Sequence, residues 1–162
     1  SVGFVCKHVL TNARGMFKKP SGTVTLDEAT PASSSVNATL DVSAISTGVE
    51  ERDTHLMGPD FFDMARYPLI TFVSTSFSKS SATAYSVVGN LTMHGVTKPV
   101  TLAVTASPPF NHAGSIRRGI EATTSVNRRD FGLVWDFPGE GPGAVVGDSI
   151  KITIDAELVL QP

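Results

Sequence analysis

Residues 48–72 read GVEERDTHLMGPDFFDMARYPLITF, and this stretch decides which fold the sequence predicts. Elsewhere the chain alternates apolar and polar residues, as the strands of a β protein do. Within the stretch that alternation stops, charge gathers, and Phe61 and Phe62 stand side by side. We therefore predict a short helical segment around residues 49–64 that interrupts a succession of strands.

The helical segment has recognisable start and stop signals. Acidic residues crowd its first turns, where negative charge suits the helix dipole, and Gly58-Pro59 predicts its end. Asp60 is placed to cap a second short turn that holds the two phenylalanines. Because a residue before proline favours extended backbone, the next strand is expected to begin at Tyr67-Pro68.

About eight strands are predicted around that segment, joined mostly by turns of hairpin length. The alternation is clearest in residues 150–160, where Ile, Ala and Leu share one face and mostly polar residues the other. Gly95 allows a tight turn, whereas Pro20 and Gly22 indicate a kink or bulge within a strand. Residues 138–143, PGEGPG, are expected to form a loop without regular structure.

A meandering antiparallel sheet of this length closes or folds over to hide its edges. An eight-stranded closed barrel has room for one small ligand, whereas a sandwich of the same strands is filled. Alternation alone cannot separate the two, but a sandwich rarely needs a cap, so the helical segment favours the barrel. The sequence predicts an all-β fold, an eight-stranded antiparallel β-barrel in a single domain over residues 1–162. Residues 1–4 already read as the middle of a strand, so the N-terminal part of the first strand is expected to be missing.

The composition favours an apolar interior and argues against binding to nucleic acid. Charged residues are 17% of the chain, below the roughly 25% of typical soluble domains, and hydrophobic residues are 41%. The formal net charge is -2, whereas nucleic-acid binding needs a basic surface. The pairs Lys18-Lys19, Arg117-Arg118 and Arg128-Arg129 are isolated, which is typical of solvated faces or loop anchors. No transmembrane segment is predicted, because no run approaches the roughly 18 apolar residues of a membrane span.

Few residues have the spacing that catalysis or metal binding needs, so no catalytic residue, metal site or cofactor is predicted. Cys6 is the only cysteine and is expected to be a small buried side chain. His8, on the same strand face, keeps a Cys/His pair as an alternative. Glu51 and His55 are four residues apart, on one face of a helix. A surface contact between them is favoured over an acid/base pair or a metal site.

Five stretches resemble, in order, the successive motifs of the YceI-like family, and together they cover nearly the whole chain. The most distinctive are ERDTHLMGPDFFDMARYPLITFVSTSF and GNLTMHGVTKPVTL. The others are GFVCKHVLTNARGMFKKPSGTVTLDE near the start, and ATTSVNRRDFGLVWD and VGDSIKITIDAEL toward the end.

The resemblance implies a lipocalin-like barrel with an elongated apolar cavity for a polyisoprenoid, an isoprenoid quinone or another lipid amphiphile. Members of the family are bacterial. The resemblance implies the periplasm if a signal peptide was removed, and the cytoplasm otherwise. Met57 stands where the family commonly has a basic residue. If that residue holds an anionic headgroup in the relatives, this chain is expected to prefer a neutral ligand.

We therefore predict a non-catalytic binding protein that carries a long-chain apolar ligand in the barrel cavity. Hydrophobic transfer supplies the affinity, at about 0.8 kcal/mol for each buried methylene. The predicted ligand-binding residues are apolar side chains along the barrel and polar ones at its mouth: Phe4, Phe17, Leu40, Phe61, Phe62, Phe72, Leu91, Phe131 and Trp135, with Arg52, Asp53, His55 and His94.

Two other interpretations stay open. An enzyme such as an isomerase, cyclase or hydrolase would act on a buried apolar substrate in the same cavity, using Cys6, His8, His55 or Glu51. A dimeric partner-binding module would instead have an interior filled by its own side chains. The sequence leaves the identity of the ligand and the formation of a homodimer undecided.

Overall fold

The computed structural model describes residues 1–161, which form eleven β-strands and one α-helix. The strands before the middle of the chain are β1 (Val2–His8), β2 (Thr11–Phe17), β3 (Ser21–Thr25), β4 (Ser35–Asp41), β5 (Ile45–Ser46) and β6 (Leu69–Lys79). Those that follow are β7 (Ala84–Met93), β8 (Val96–Ala106), β9 (Phe110–His112), β10 (Ser115–Asn127) and β11 (Val146–Val159). The helix α1 spans Glu50–Met57, and short 3-10 helices cover Pro31–Ser33, Val42–Ala44 and Arg128–Phe131.

The strands belong to one antiparallel sheet that curls into a barrel. Hydrogen-bonded neighbours follow the order β3-β4-β6-β7-β8-β10-β11-β1-β2-β5, with β9 beside β10. The two sides of this order are joined by the chain itself, because β2 ends at Phe17 and β3 begins at Ser21. One bent strand thus pairs with β1 in its first half and with β4 in its second. The predicted all-β barrel fold is confirmed.

The bend in that strand is the kink that Pro20 and Gly22 predict. Lys19 has a φ of 54°, in the left-handed region, which turns the backbone just before Pro20. At Gly22 a Cβ atom would lie 2.4 Å from the carbonyl oxygen of Asn37, so β3 and β4 approach too closely for a side chain. With β2 and β3 taken as one strand and the short β5 and β9 set aside, the barrel has the eight strands that the sequence predicts.

The turn between β7 and β8 has two residues, His94 and Gly95, with φ values of 53° and 73°. Two central residues with positive φ are typical of the type I′ turn, whose twist matches that of the flanking strands. A Cβ atom on Gly95 would also lie 2.6 Å from the ring of Tyr67. The tight turn expected at Gly95 is confirmed, and both the backbone angle and the Tyr67 ring require glycine there.

The predicted helical segment is present as α1 followed by hydrogen-bonded turns. The helix begins after Val49 and ends at Met57, and the amide of the next residue, Gly58, donates to the carbonyl oxygen of His55. The expected cap on the second turn is wrong, because Asp60 Oδ2 lies 2.8 Å from Nε2 of His55 instead. The amides of that turn donate back to carbonyl oxygens of α1 and of Gly58. No helix within residues 1–161 has the length and apolar character that a membrane crossing requires.

Buried side chains form two clusters, and the barrel interior lies between them. The cluster beside α1 contains Phe17, Val42, Ile45, Ile70, Met93, Val126, Phe131 and Leu133. The cluster at the opposite end contains Phe72, Phe77, Tyr85, Val87, Leu102 and Ala106. Leu91 and Val100 are partly buried and pack against both clusters, so they join the two ends along the barrel wall.

Candidate functional site

An apolar cavity of about 550 Å³ runs through the barrel between the two clusters. Alternate strand residues build its wall, since every second side chain points to the same face of a sheet. On β11 these include Ile150, Ile152 and Ile154, and on β10 they include Ala122 and Val126. The volume falls within the range of sites that bind small molecules and cofactors.

The rings of Phe72 and Tyr85 line the deep end of the cavity, opposite α1. A Cβ atom on Gly89 would lie 2.3 Å from Cζ of Phe72, so the missing side chain gives that ring its room against the wall. Along the barrel, Phe4 occupies the space over Gly15 in the same way, again at 2.3 Å. Tyr85 lines the cavity and is 3% exposed, and its hydroxyl has no hydrogen-bond partner among residues 1–161.

The other end, the mouth, is covered by α1 and the loop that follows β10. The His55 ring meets those of Phe61 and Trp135 edge-to-face, at centroid distances of 5.1 Å and 4.9 Å. Trp135 also packs against Phe61 at 5.2 Å and Phe137 at 5.8 Å. Each such pair contributes about 0.5–1.5 kcal/mol beyond the area that it buries. These four side chains, the mouth cluster, hold α1 against the loop.

A hydrogen-bonded group of three residues fixes the start of α1. Asp53 Oδ1 accepts hydrogen bonds from the amide of Thr47 at 2.8 Å and from its hydroxyl at 2.5 Å. Arg52 Nε donates to the Thr47 hydroxyl at 2.8 Å, and Nη2 donates to the Thr47 carbonyl oxygen at 3.1 Å. Arg52 lines the cavity and forms no ion pair with a carboxylate among residues 1–161.

His55 pairs with Asp60 and not with Glu51. The Nε2 to Oδ2 distance is 2.8 Å, and both side chains are about half exposed. The turn that starts at Gly58 brings Asp60 back over the last turn of α1, within reach of the imidazole. The expected contact of Glu51 with His55 is therefore replaced by one whose partner lies beyond the helix.

Ten of the thirteen residues predicted to bind the ligand line the cavity: Phe4, Phe17, Leu40, Arg52, His55, Phe61, Phe62, Phe72, Leu91 and Trp135. Five of them are strand residues whose alternation places them on the inner face. Their contact with a ligand stays a prediction. Other wall residues, such as Tyr85 and Ala122, share the same alternation, which is the signal by which they would have been found.

The remaining three predicted residues do not line the cavity. The carboxylate of Asp53 is occupied by Thr47. His94 lies in the β7–β8 turn, with Nδ1 3.1 Å from the carbonyl oxygen of Phe131. Phe131 is 2% exposed within the core cluster beside α1. These residues lie in a helix, a turn and a 3-10 helix, where the period of two does not fix the direction of a side chain.

Arg128 anchors the loop that carries Trp135. Its side chain is 3% exposed. It donates to the carbonyl oxygens of Leu133 at 2.7 Å and Trp135 at 2.8 Å, and to those of Val146 and Gly147 at 3.1 Å each. A single guanidinium thereby ties the loop to the start of β11 and sets the position of the indole at the mouth.

Two carboxylates complete this anchor. Asp136 accepts hydrogen bonds from Nη2 of Arg129 at 2.6 Å and 2.7 Å, and from the amide of Gly143 at 3.0 Å. Together with a further bond from Arg128, these hold the pKa of Asp136 far below its usual value. Asp148 pairs with both arginines. Of the two roles that the sequence left open for Arg128-Arg129, the structure selects the loop anchor.

Cys6 lies on β1 beside the anchor, with Sγ 3.4 Å from the carbonyl oxygen of Gly147. Burial raises the pKa of its thiol, which favours the protonated and less nucleophilic form. The pairing of β1 with β11 is irregular between Cys6 and His8, and within residues 1–161 no hydrogen bond joins their side chains. The arrangement does not activate the thiol.

Met57 packs against the core cluster beside α1 and does not line the cavity. The cation that α1 presents to the cavity is instead Arg52. The position of Met57 therefore gives no support to a preference for neutral ligands. In the part of the chain that the structure describes, no group of three or more His, Cys, Asp or Glu side chains is arranged to hold a metal ion.

A family model described as YceI-like domain matches residues 1–158. A UPF0312 protein of Pseudomonas putida (strain GB-1) is 37% identical over 148 residues, which are 91% of this chain and 73% of that protein. A UPF0312 protein of Yersinia pestis (strain Pestoides F) is 39% identical over 124 residues, or 76% of this chain and 64% of that protein. The chain thus spans part of the length of these curated relatives.

Solved structures share the fold. Burkholderia cenocepacia BcnA superimposes with a TM-score of 0.86 at 28% identity, covering 97% of this chain and 94% of BcnA. A polyisoprenoid binding domain from Saccharophagus degradans, implicated in plant cell wall breakdown, gives a TM-score of 0.67 at 15% identity, covering 99% and 93%. At that identity the second likeness shows the fold alone.

Proposed function

The chain belongs to the YceI-like family, and we propose that it is a non-catalytic carrier that holds one long-chain apolar molecule in its barrel. The observation that supports this most is the cavity of about 550 Å³, walled by apolar side chains. A polyisoprenoid, the ligand named for the Saccharophagus domain, is the first class to test. Isoprenoid quinones and lipid amphiphiles also have a long apolar chain, and they are the classes to test next.

The energetics favour long ligands over short ones. Each buried methylene contributes about 0.8 kcal/mol, so ten give roughly 8 kcal/mol before costs. Micromolar affinity requires about 8 kcal/mol after the costs of association and of ordering the chain are subtracted. More than ten carbons must therefore be buried, which a long hydrocarbon in a continuous barrel interior provides.

Native mass spectrometry of protein purified from its own host tests the proposal, followed by extraction of the bound molecule. We expect one apolar molecule per chain. Ala122→Phe should abolish binding of this molecule, because Ala122 is a buried residue of the cavity wall, 4% exposed, and a larger side chain there fills the cavity. Ala103→Phe is the matched control, since Ala103 is exposed on the outer face of β8. A wild-type chain that carries no ligand and binds no added polyisoprenoid, quinone or lipid would refute the proposal.

An enzyme acting in the same cavity is the second candidate, and the pairing of His55 with Asp60 is the observation that favours it. A carboxylate that orients an imidazole is a common arrangement for acid/base catalysis, and His55 lines the cavity. Asp60→Asn separates the candidates. Asp60 does not line the cavity, so the affinity of a carrier should stay nearly unchanged, whereas loss of the carboxylate that orients the imidazole should sharply lower turnover by an enzyme. Incubation of the extracted ligand with the wild-type protein and mass analysis of any product supplies the turnover measurement.

A further inference from the structure

Arg52 is a positive charge at the edge of a largely apolar cavity. Its Nε and Nη2 atoms are held by Thr47, which fixes the guanidinium in one orientation. Its Nη1 atom forms no hydrogen bond with the residues that the structure describes, and no carboxylate pairs with the side chain. The carboxylate of Asp53, the next residue on the helix, accepts two hydrogen bonds from Thr47. The guanidinium is thus oriented by the protein while one of its nitrogens stays available.

The charges around the cavity differ between its two ends. Near the mouth, Lys7 lines the cavity together with Arg52, and so does Arg128, whose charge is paired with Asp136 and Asp148. The lining carboxylates, Asp155 and Glu157, lie on the far part of β11, away from α1. At the deep end Tyr85 offers a hydroxyl but no charge. An anion is therefore favoured at the mouth.

We propose that the mouth binds an anionic oxygen headgroup, a carboxylate or a phosphate, through Arg52, while the hydrocarbon tail occupies the barrel. This inference rests on the proposed carrier function. An arginine in a half-buried site forms charge-assisted hydrogen bonds with anionic oxygens, which are about twice as strong as bonds between neutral groups. A neutral headgroup accepts the same bonds but leaves the charge uncompensated. The cavity thus selects amphiphiles by headgroup as well as by tail.

Matched probes with one tail and different headgroups test the selection. Palmitate, hexadecyl phosphate and hexadecanol are titrated against the protein, and quenching of Trp135, the single tryptophan at the mouth, gives each Kd. For the wild-type chain we expect the anion bound at this site to have a Kd at least about 10-fold below that of hexadecanol. The comparison of palmitate with hexadecyl phosphate identifies which anion the site takes.

Arg52→Gln should remove that preference and leave the Kd of hexadecanol within about twofold, which also shows that the variant is folded. Arg52→Lys should restore part of the preference, since it keeps the charge but not the planar fork. Lys151→Gln is the control, because Lys151 is an exposed cation on the outer face of β11. It should keep the full preference.

Equal affinity of the wild-type protein for hexadecanol and both anions would overturn the inference and leave the carrier function standing. The inference would also be overturned if the Arg52→Gln variant kept the preference for the anion, or if its affinity for all three probes fell by the same factor. Failure of the wild-type protein to bind any of the three probes refutes the inference and counts against a carrier of such chains.

Discussion

Replacing Arg128 by lysine tests whether one buried guanidinium holds the mouth of the cavity in place. The guanidinium donates to five acceptors, four backbone carbonyl oxygens and the Asp136 carboxylate, in a side chain that is 3% exposed. Lysine keeps the charge but has three donors, so at least two acceptors lose their partner. Each unsatisfied buried group costs about 1–3 kcal/mol, which gives about 2–6 kcal/mol in total. At the middle of that range, Tm falls by about 8–16 °C for a chain of this size.

Thermal unfolding followed by circular dichroism measures the loss, and the emission of Trp135 reports whether the loop has loosened. The matched control is Arg66→Lys, because Arg66 is 71% exposed and its one ion pair, with Asp63, lies at the surface. Its effect should stay within about 0.5 kcal/mol. If Arg128→Lys lowers Tm no more than Arg66→Lys does, the reasoning about the anchor is wrong.

Three further predictions concern the deep end and the anchor. Tyr85→Phe removes a buried hydroxyl without a partner and should stabilise the empty protein by about 1 kcal/mol in urea unfolding; a loss of stability would contradict this. Gly89→Ala places a Cβ atom 2.3 Å from the Phe72 ring, so it should cost about 1–3 kcal/mol and weaken binding in the Trp135 titration; unchanged values would show that the ring moves freely. Because hydrogen bonds, chiefly from Arg129, lower the pKa of Asp136 in the folded state, its contribution to stability is present above about pH 4 and lost as the pH falls. The free energy of unfolding should therefore fall more steeply below about pH 4 in the wild-type chain than in Asp136→Asn. Equal slopes would show that the Asp136 carboxylate does not contribute to the pH dependence of stability.

The strands and their faces could be predicted because strand periodicity is local. Ile150, Ile152 and Ile154 alternate with polar residues in the sequence, and the structure places all three on the cavity wall. Gly95 marks a turn that needs positive φ, and Gly58 ends the helix where the sequence loses its helical signals. Each of these features depends on residues a few positions apart, so inspection of neighbouring residues was enough to find them.

The roles of side chains outside the strands could not be predicted in this way. Arg128 and Arg129 look alike in the sequence, yet Arg128 is buried and bonded to the carbonyl oxygen of Gly147 on β11. His55 shares a helix face with Glu51, but the turn after α1 brings Asp60 to it. No fixed period relates sequence position to direction in such turns.

The sequence by itself thus determined the family, the antiparallel barrel and the five predicted strand residues of the cavity wall, because strand alternation and short turn signals are local properties of the chain. The tertiary structure alone decided which of the polar residues predicted at the mouth reach the cavity. Arg52 and His55 line it, whereas Asp53 and His94 do not. Met57 packs against the core cluster beside α1. The physical reason is that a charge or ring outside a strand is positioned by hydrogen bonds and packing with residues distant in sequence, as His94 is by Phe131.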